Sequence, residues 1–115
     1  MNIVLQPQEH IIRQGYANHF EHHVRMTGKL YLTNQRLYFV THALNFKQYH
    51  LSIPLQNIIG LELKNNLKFF SHGLLILLKN EQKQQFIVWL RKIWKRLLEQ
   101  EIKKLPPVIF PKSPR

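Results

Sequence analysis

Cysteine is absent from this chain, and so is aspartate. Without cysteine there can be no disulfide, no thiolate zinc site and no cysteine nucleophile. Without aspartate the carboxylates reduce to six glutamates, and no two of them recur at a spacing suited to acid–base work. Glycine is scarce at four residues, and no glycine-rich phosphate loop is present. Ser52, Ser71 and Ser113 lack the strand-to-helix turn that exposes a serine nucleophile. The longest apolar run, Leu74 to Leu78, is far short of the ~20 residues needed to span a bilayer. No charged-then-apolar start of signal-peptide type is seen. These absences predict a protein that is not an enzyme, needs no metal or cofactor, and is cytoplasmic or peripheral to a membrane.

Basic charge is present in excess. Lysine and arginine number 17 against the six glutamates, a net charge of +11. The first 50 residues carry +3, residues 51–85 carry +2, and the last 30 carry +6. A bias of this size favours polyanionic partners such as acidic lipid surfaces, nucleic acid or acidic proteins.

At 115 residues the chain is one domain, able to bury about two-thirds of its unfolded surface. The stretch Gly28 to Ile53 alternates with a period of two. Leu30 and Leu32 interleave with Lys29, Tyr31 and Thr33; Leu37, Phe39 and Thr41 with Arg36, Tyr38 and Val40; Tyr49, Leu51 and Ile53 with His50 and Ser52. Runs of this kind predict three half-buried antiparallel strands. Asn34-Gln35 predicts a tight hairpin, because asparagine tolerates the positive φ such turns use. Pro54 ends the third run, since proline has no N–H for a central strand. Four further strands are predicted at 10–20, with Gly15 marking a bulge or close approach, and at 58–64, 73–79 and 85–89. The segment 21–27 reads as a loop or strand edge.

After residue 89 the period changes. Leu90, Ile93, Trp94, Leu97, Leu98, Ile102 and Leu105 recur at three- and four-residue steps, with Arg91, Lys92, Lys95 and Arg96 among the residues on the other face. This predicts an amphipathic helix of about four turns, stopped by Pro106-Pro107, with no side-chain N-cap to mark its start. Seven strands and one helix give a mainly β or α+β domain over residues 8–105. Residues 106–115 form a proline-rich, flexible tail.

Several blocks then resemble one family. Ala17-Asn18-His19-Phe20, Gly28 to Leu37 (GKLYLTNQRL), His42 to Asn45 (HALN), and Ser52-Ile53-Pro54-Leu55 with Ile58 resemble, in order, the GRAM domain in its small bacterial-type form. Gly73, Phe86 to Val88 and Arg91 to Trp94 fall in the same order. The resemblance implies a pleckstrin-homology-like fold, a partly open seven-stranded barrel of two antiparallel sheets capped by a C-terminal helix. It implies membrane association through lipid headgroups or protein partners, and no catalysis. It assigns structural roles to Asn18, His19, Gly28, Asn34, Arg36, His42, Asn45, Pro54 and Trp94. Phosphoinositide-binding domains of this fold carry spaced basic residues on the first two strands. Here Arg13, Arg25 and Lys29 are interleaved with histidines and Glu21, a thin phosphate cradle.

The candidate lipid-facing residues are Arg25 and Lys29 before and within the second strand, and Arg91, Lys92, Lys95 and Arg96 on the helix. Phe69 and Phe70 join them, at the tip of a loop between two strands. The alternative is a protein-interaction or homo-oligomer module using a strand edge or the apolar faces of Leu75 and Leu77. Nucleic acid is not an expected partner, because the aromatic residues alternate as core positions and form no stacking platform. His22 and His23 are adjacent and point to opposite faces of a strand, so they make no metal site with His19.

Overall fold

The computed structural model describes residues 3–21, 24–41, 48–65 and 73–106. Seven strands precede one helix: β1 (Ile11–Glu21), β2 (Val24–Thr33), β3 (Arg36–Thr41), β4 (His50–Pro54), β5 (Ile58–Lys64), β6 (Gly73–Leu78), β7 (Lys83–Val88) and α1 (Arg91–Lys103). All neighbouring strands are antiparallel, in the order β4-β3-β2-β1-β7-β6-β5. The two sheets expected from the sequence are thus two halves of one curled half-barrel. Long β1 joins them: it pairs with β2 along its length and with β7 over Ala17 to Phe20 only.

Alternation decides which side chains enter the barrel. Leu30, Leu32, Leu37, Phe39 and Ile53 line the inside from β2, β3 and β4, and Leu74, Ile76, Phe86 and Val88 from β6 and β7. All are buried, at about 1.5–3 kcal/mol for each large side chain removed from water. β4 and β5 are the two edges, linked through a 3₁₀ turn at Leu55–Asn57. α1 packs on β5, β6 and that turn, and its Trp94 and Leu98 fill the open end. Pro54 closes β4 on an edge, where the missing N–H leaves no inner ladder broken.

Five details differ from the expectation. The described part of segment 21–27 is strand: β1 runs to Glu21 and β2 begins at Val24, with Phe20 opposite Arg25 and His19 opposite Met26. This part of β2 extends past the end of β3, so Val24, Arg25 and Thr27 are exposed while only Met26 packs against the core, and its sequence does not alternate. Positive φ occurs among the described non-glycine residues at Gln8, Glu81 and Leu90, not at Asn34. Thr33 makes the β2–β3 turn instead: its Oγ1 accepts from Gln35 N (3.0 Å) and Arg36 N (2.9 Å). The irregularity in β1 lies between Ile11 and Arg13, while at Gly15 a Cβ would stand 3.5 Å from Trp94 Cζ2, an ordinary contact. β7 begins at Lys83, because Lys83 still pairs with Leu77. The helix begins at Arg91, since Leu90 is left-handed (φ 60°, ψ 46°).

Candidate binding surface

The basic residues on the helix do not form one patch. Arg91 is half-buried and donates from Nη1 to the carbonyls of Lys64 (2.8 Å) and Gly73 (3.3 Å) and from Nη2 to Asn65 Oδ1. It ties the ends of β5 and β6 to the start of α1. Lys95 pairs with Glu99 one turn on, at 2.9 Å. Lys92 and Arg96 are exposed and form no ion pair among the described residues. Lys103, which sequence reasoning passed over, is exposed about two turns further along the same face. The helix thus presents a ridge of Lys92, Arg96 and Lys103.

On β2, Arg25 is exposed near the tip of the β1–β2 hairpin. Lys29 is half-buried, its Nζ 5.4 Å from the centre of the Tyr31 ring. Lys79 and Lys83 are exposed at the β6–β7 turn. The other predicted positions Phe69, Phe70, His42 and Asn45 lie outside the described residues, as do His22 and His23.

The remaining residues of the family pattern hold the frame. Asn18 Oδ1 accepts from Thr27 Oγ1 across the β1–β2 pair (2.8 Å). Gly28 sits where a Cβ would lie 2.2 Å from Val40 O. Asn34 accepts from His10 N (2.7 Å) and donates to Gln8 O (3.1 Å), fastening the N-terminal segment over the turn. Arg36 meets the buried Glu9, from Nε at 2.8 Å and from Nη2 at 3.1 Å, and also donates to Val4 O. Burial by itself would raise the Glu9 pKa. Hydrogen bonds from Arg36, Gln6 N and Thr33, with the Arg36 charge, outweigh it and hold the carboxyl below its ordinary range.

His19 is fully buried between Phe39, Phe86 and Tyr49, with the Tyr49 ring stacked at 5.7 Å. Its Nε2 meets Gln84 Oε1 at 2.6 Å, and Nδ1 has no partner. Burial pushes its pKa down, against the Gln84 hydrogen bond and the Glu21 charge. The neutral ring with Nε2–H donating to Gln84 satisfies this arrangement. Tyr49 is pushed up to about 12 by burial first, then by the charge and hydrogen bond of Glu21. Among the described residues no three His or Glu side chains converge as metal ligands.

The exposed aromatic residues were not legible as a site. Tyr16 is 67% exposed and Trp89 70%. The β1–β7 ladder ends at Ala17–Val88, so Tyr16 and Trp89 are the next residues on the two strands at that end, and Tyr16 pairs with Lys29 on β2. Leu90, next in the chain, is 44% exposed. A signal did exist: Trp89 is out of phase with inward Phe86 and Val88, as Tyr16 is with Ala17 and His19.

Three clefts are lined by described residues. One of about 350 Å³ lies between the β5 edge and α1, lined by Ile58, Ile59, Gly60, Leu61, Glu99, Ile102 and Lys103. A second of about 330 Å³ borders the β2–β3 turn and includes Asn34, Arg36 and Leu105. The third, of about 360 Å³, lies between Phe20, Glu21 and the residues Gln82, Lys83 and Gln84.

A single antiparallel sheet curled into a half-barrel and stoppered by a C-terminal helix defines the pleckstrin-homology-like class. Solved structures share it at low identity. The C-terminal PH domain of human pleckstrin superimposes with a TM-score of 0.70 at 14% identity, over 94% of this chain and 93% of that one. The C-terminal domain of an unknown protein from Leishmania infantum gives 0.72 at 18% identity, over 84% and 86%. The Slm1 PH domain in complex with phosphoserine gives 0.66 at 15% identity, over 82% and 97%. The family model described as GRAM domain matches residues 1–96, and the chain belongs to the GRAM domain family. No curated protein matches it.

Proposed function

We propose that this GRAM domain works by binding, docking at the periphery of an anionic membrane through its basic surface. The observation that carries the reading is the helix ridge of Lys92, Arg96 and Lys103, exposed and without ion pairs among the described residues. Arg25 and Lys29 on β2 add to the field. Each basic side chain near an acidic leaflet contributes about 1 kcal/mol, enough for reversible attachment by several together. A structure of the same fold that carries phosphoserine supports an anionic ligand. Catalysis has little support: four of the six glutamates (Glu9, Glu62, Glu99 and Glu101) are held in ion pairs. Among the described residues no helix is long and apolar enough to cross a membrane, consistent with peripheral attachment.

The test is co-sedimentation with phosphatidylcholine vesicles, with and without 30% phosphatidylserine. We expect binding only to the anionic vesicles, weakening as salt rises. Reversing both Lys92 and Arg96 to glutamate should abolish it. Equal binding to neutral vesicles, or none to anionic ones at low salt, defeats the reading.

A second reading, a protein-binding or self-associating module, draws on the β5 edge. β5 pairs with β6 alone, Ile59 is 64% exposed, and the cleft against α1 opens beside it. An added strand would find both backbone groups and an apolar wall there. No vesicle binding together with a dimer mass in solution would favour it.

A further inference from the structure

We infer that the domain docks by one particular corner, where Tyr16, Trp89 and Leu90 enter the interfacial layer of the bilayer and Lys29, Lys92 and Arg96 meet its anionic headgroups. The inference rests on the membrane reading above and names the face that makes the contact.

Four observations converge on this corner. The first is exposure. Trp89 and Tyr16 are 70% and 67% exposed, whereas the other tryptophan, Trp94, is 1% exposed in the core. Large amphipathic rings of this type concentrate at membrane–water interfaces, where the body is apolar and the N–H or O–H reaches water.

The second is backbone conformation. Leu90 occupies the left-handed region (φ 60°, ψ 46°) with no side-chain cap, and its carbonyl receives the N–H of Ile93 (2.9 Å) and Trp94 (3.2 Å). A leucine here costs on the order of 1 kcal/mol more than glycine would, and its side chain remains 44% exposed. Folding stability alone does not account for a strained, outward leucine next to an outward tryptophan.

The third is charge. Lys92 and Arg96 follow Leu90 on exposed positions of α1, and Lys29 pairs with Tyr16 on β2. The aromatic pair is therefore fringed by cations, the complement of an anionic leaflet.

The fourth is shape. The three clefts described above are lined by other residues. An outward aromatic face suits a planar surface. Arg91 braces it from beneath, by holding the Lys64 and Gly73 carbonyls at the ends of β5 and β6. This end is opposite the β6–β7 turn that carries Lys79 and Lys83, since Gly73 pairs with Ile87 while Leu77 pairs with Lys83.

Intrinsic fluorescence reads the corner, because the other tryptophan, Trp94, is in the core at 1% exposure. Titration with phosphatidylcholine vesicles containing 30% phosphatidylserine should shift Trp89 emission to the blue. Lipids brominated near the headgroup end of the acyl chain should quench it. Trp89→Ser with Tyr16→Ser should weaken binding tenfold or more, with the melting temperature recorded to confirm folding. Lys79→Glu with Lys83→Glu, an equal number of charge reversals at the far end, should cost much less than Lys92→Glu with Arg96→Glu. Binding with unchanged Trp89 emission, or equal losses from the two charge-reversed pairs, overturns the docking face and leaves membrane binding intact. No binding by the natural sequence overturns both. Burial of Trp89 with rising protein concentration, without vesicles and with a dimer mass, assigns the corner to a second copy and also overturns the inference.

Discussion

The Glu9 carboxylate and the Arg36 guanidinium form an ion pair across 27 residues of chain, 2.8 Å from Oε2 to Nε, with the Glu9 side chain fully buried. Thr33 Oγ1 donates to the same oxygen at 2.6 Å, and Gln6 N donates to Oε1 at 2.8 Å. The pair fastens the N-terminal segment to the β2–β3 turn, the most family-like block of the sequence. Removing Glu9 leaves the Arg36 guanidinium without its counter-ion, and removing Arg36 leaves a buried carboxylate.

Glu9→Ala should therefore destabilise the domain by about 3 kcal/mol, as for other broken buried pairs, measured by urea denaturation. Because the folded pKa lies below the unfolded value of 4.5, the pair's contribution is complete above that value. It is lost as pH falls through the folded pKa. A Glu9→Ala protein should show a weaker loss of stability below pH 4.5 than the natural one. Equal acid sensitivity of the two would disprove the assignment.

Gly28 and Gly15 should respond oppositely to alanine. At Gly28 the new Cβ would stand 2.2 Å from Val40 O and 2.9 Å from both Phe39 Cζ and Thr41 Cα. Backbone on the paired strand cannot yield without breaking the β2–β3 ladder, so Gly28→Ala should cost about 3 kcal/mol or more. At Gly15 the nearest atom is Trp94 Cζ2 at 3.5 Å, an ordinary contact. Gly15→Ala should be neutral or gain a few tenths of a kcal/mol by restricting the unfolded chain. Thermal melts of the two variants compare them directly.

His19 should resist protonation. Burial holds its pKa below the unfolded value of 6.5, so the unfolded chain takes up the proton first as pH falls. Stability should be full above that value and decline below it until the folded pKa is passed. An NMR titration should find His19 taking up its proton only below the ordinary histidine range. The direction would be wrong if His19 titrated above the ordinary histidine range.

Leu90→Gly should stabilise the fold and weaken vesicle binding together. Glycine removes the left-handed strain and is the better residue at a helix N-cap, a gain of about 1 kcal/mol. It also removes an apolar side chain from the docking corner. A higher melting temperature with unchanged vesicle affinity would separate Leu90 from binding.

Much of the frame was legible from alternation alone. Leu30, Leu32, Leu37, Phe39 and Ile53 face inward as their spacing requires, and the change of period after β7 marks the helix. The boundaries were less legible where strands leave the barrel. Arg25 and Met26 belong to β2 because they pair with Phe20 and His19, and a stretch in which Val24, Arg25 and Thr27 are all exposed has no hydrophobic period to reveal it. The hairpin mechanism was misread at Asn34 because its side chain bonds to the N-terminal segment, a contact between residues 24 and 26 apart in sequence.

The basic surface shows the same division. Composition by itself determined that the chain is strongly basic, has no thiol chemistry, and places most of its excess charge in the final 30 residues. Period by itself indicated seven strands and one helix, and the inward side of β2, β3 and β4, because side-chain direction follows from φ and ψ. Which cations remain available to a partner was decided only by tertiary structure. Arg91 and Lys92 are neighbours on one helix. Arg91 closes on carbonyls that β5 and β6 bring to it, while Lys92 faces water. Trp89 and Trp94 are five residues apart, one exposed and one in the core. Strand register and helix packing separate them, and both depend on contacts between parts of the chain that are distant in sequence.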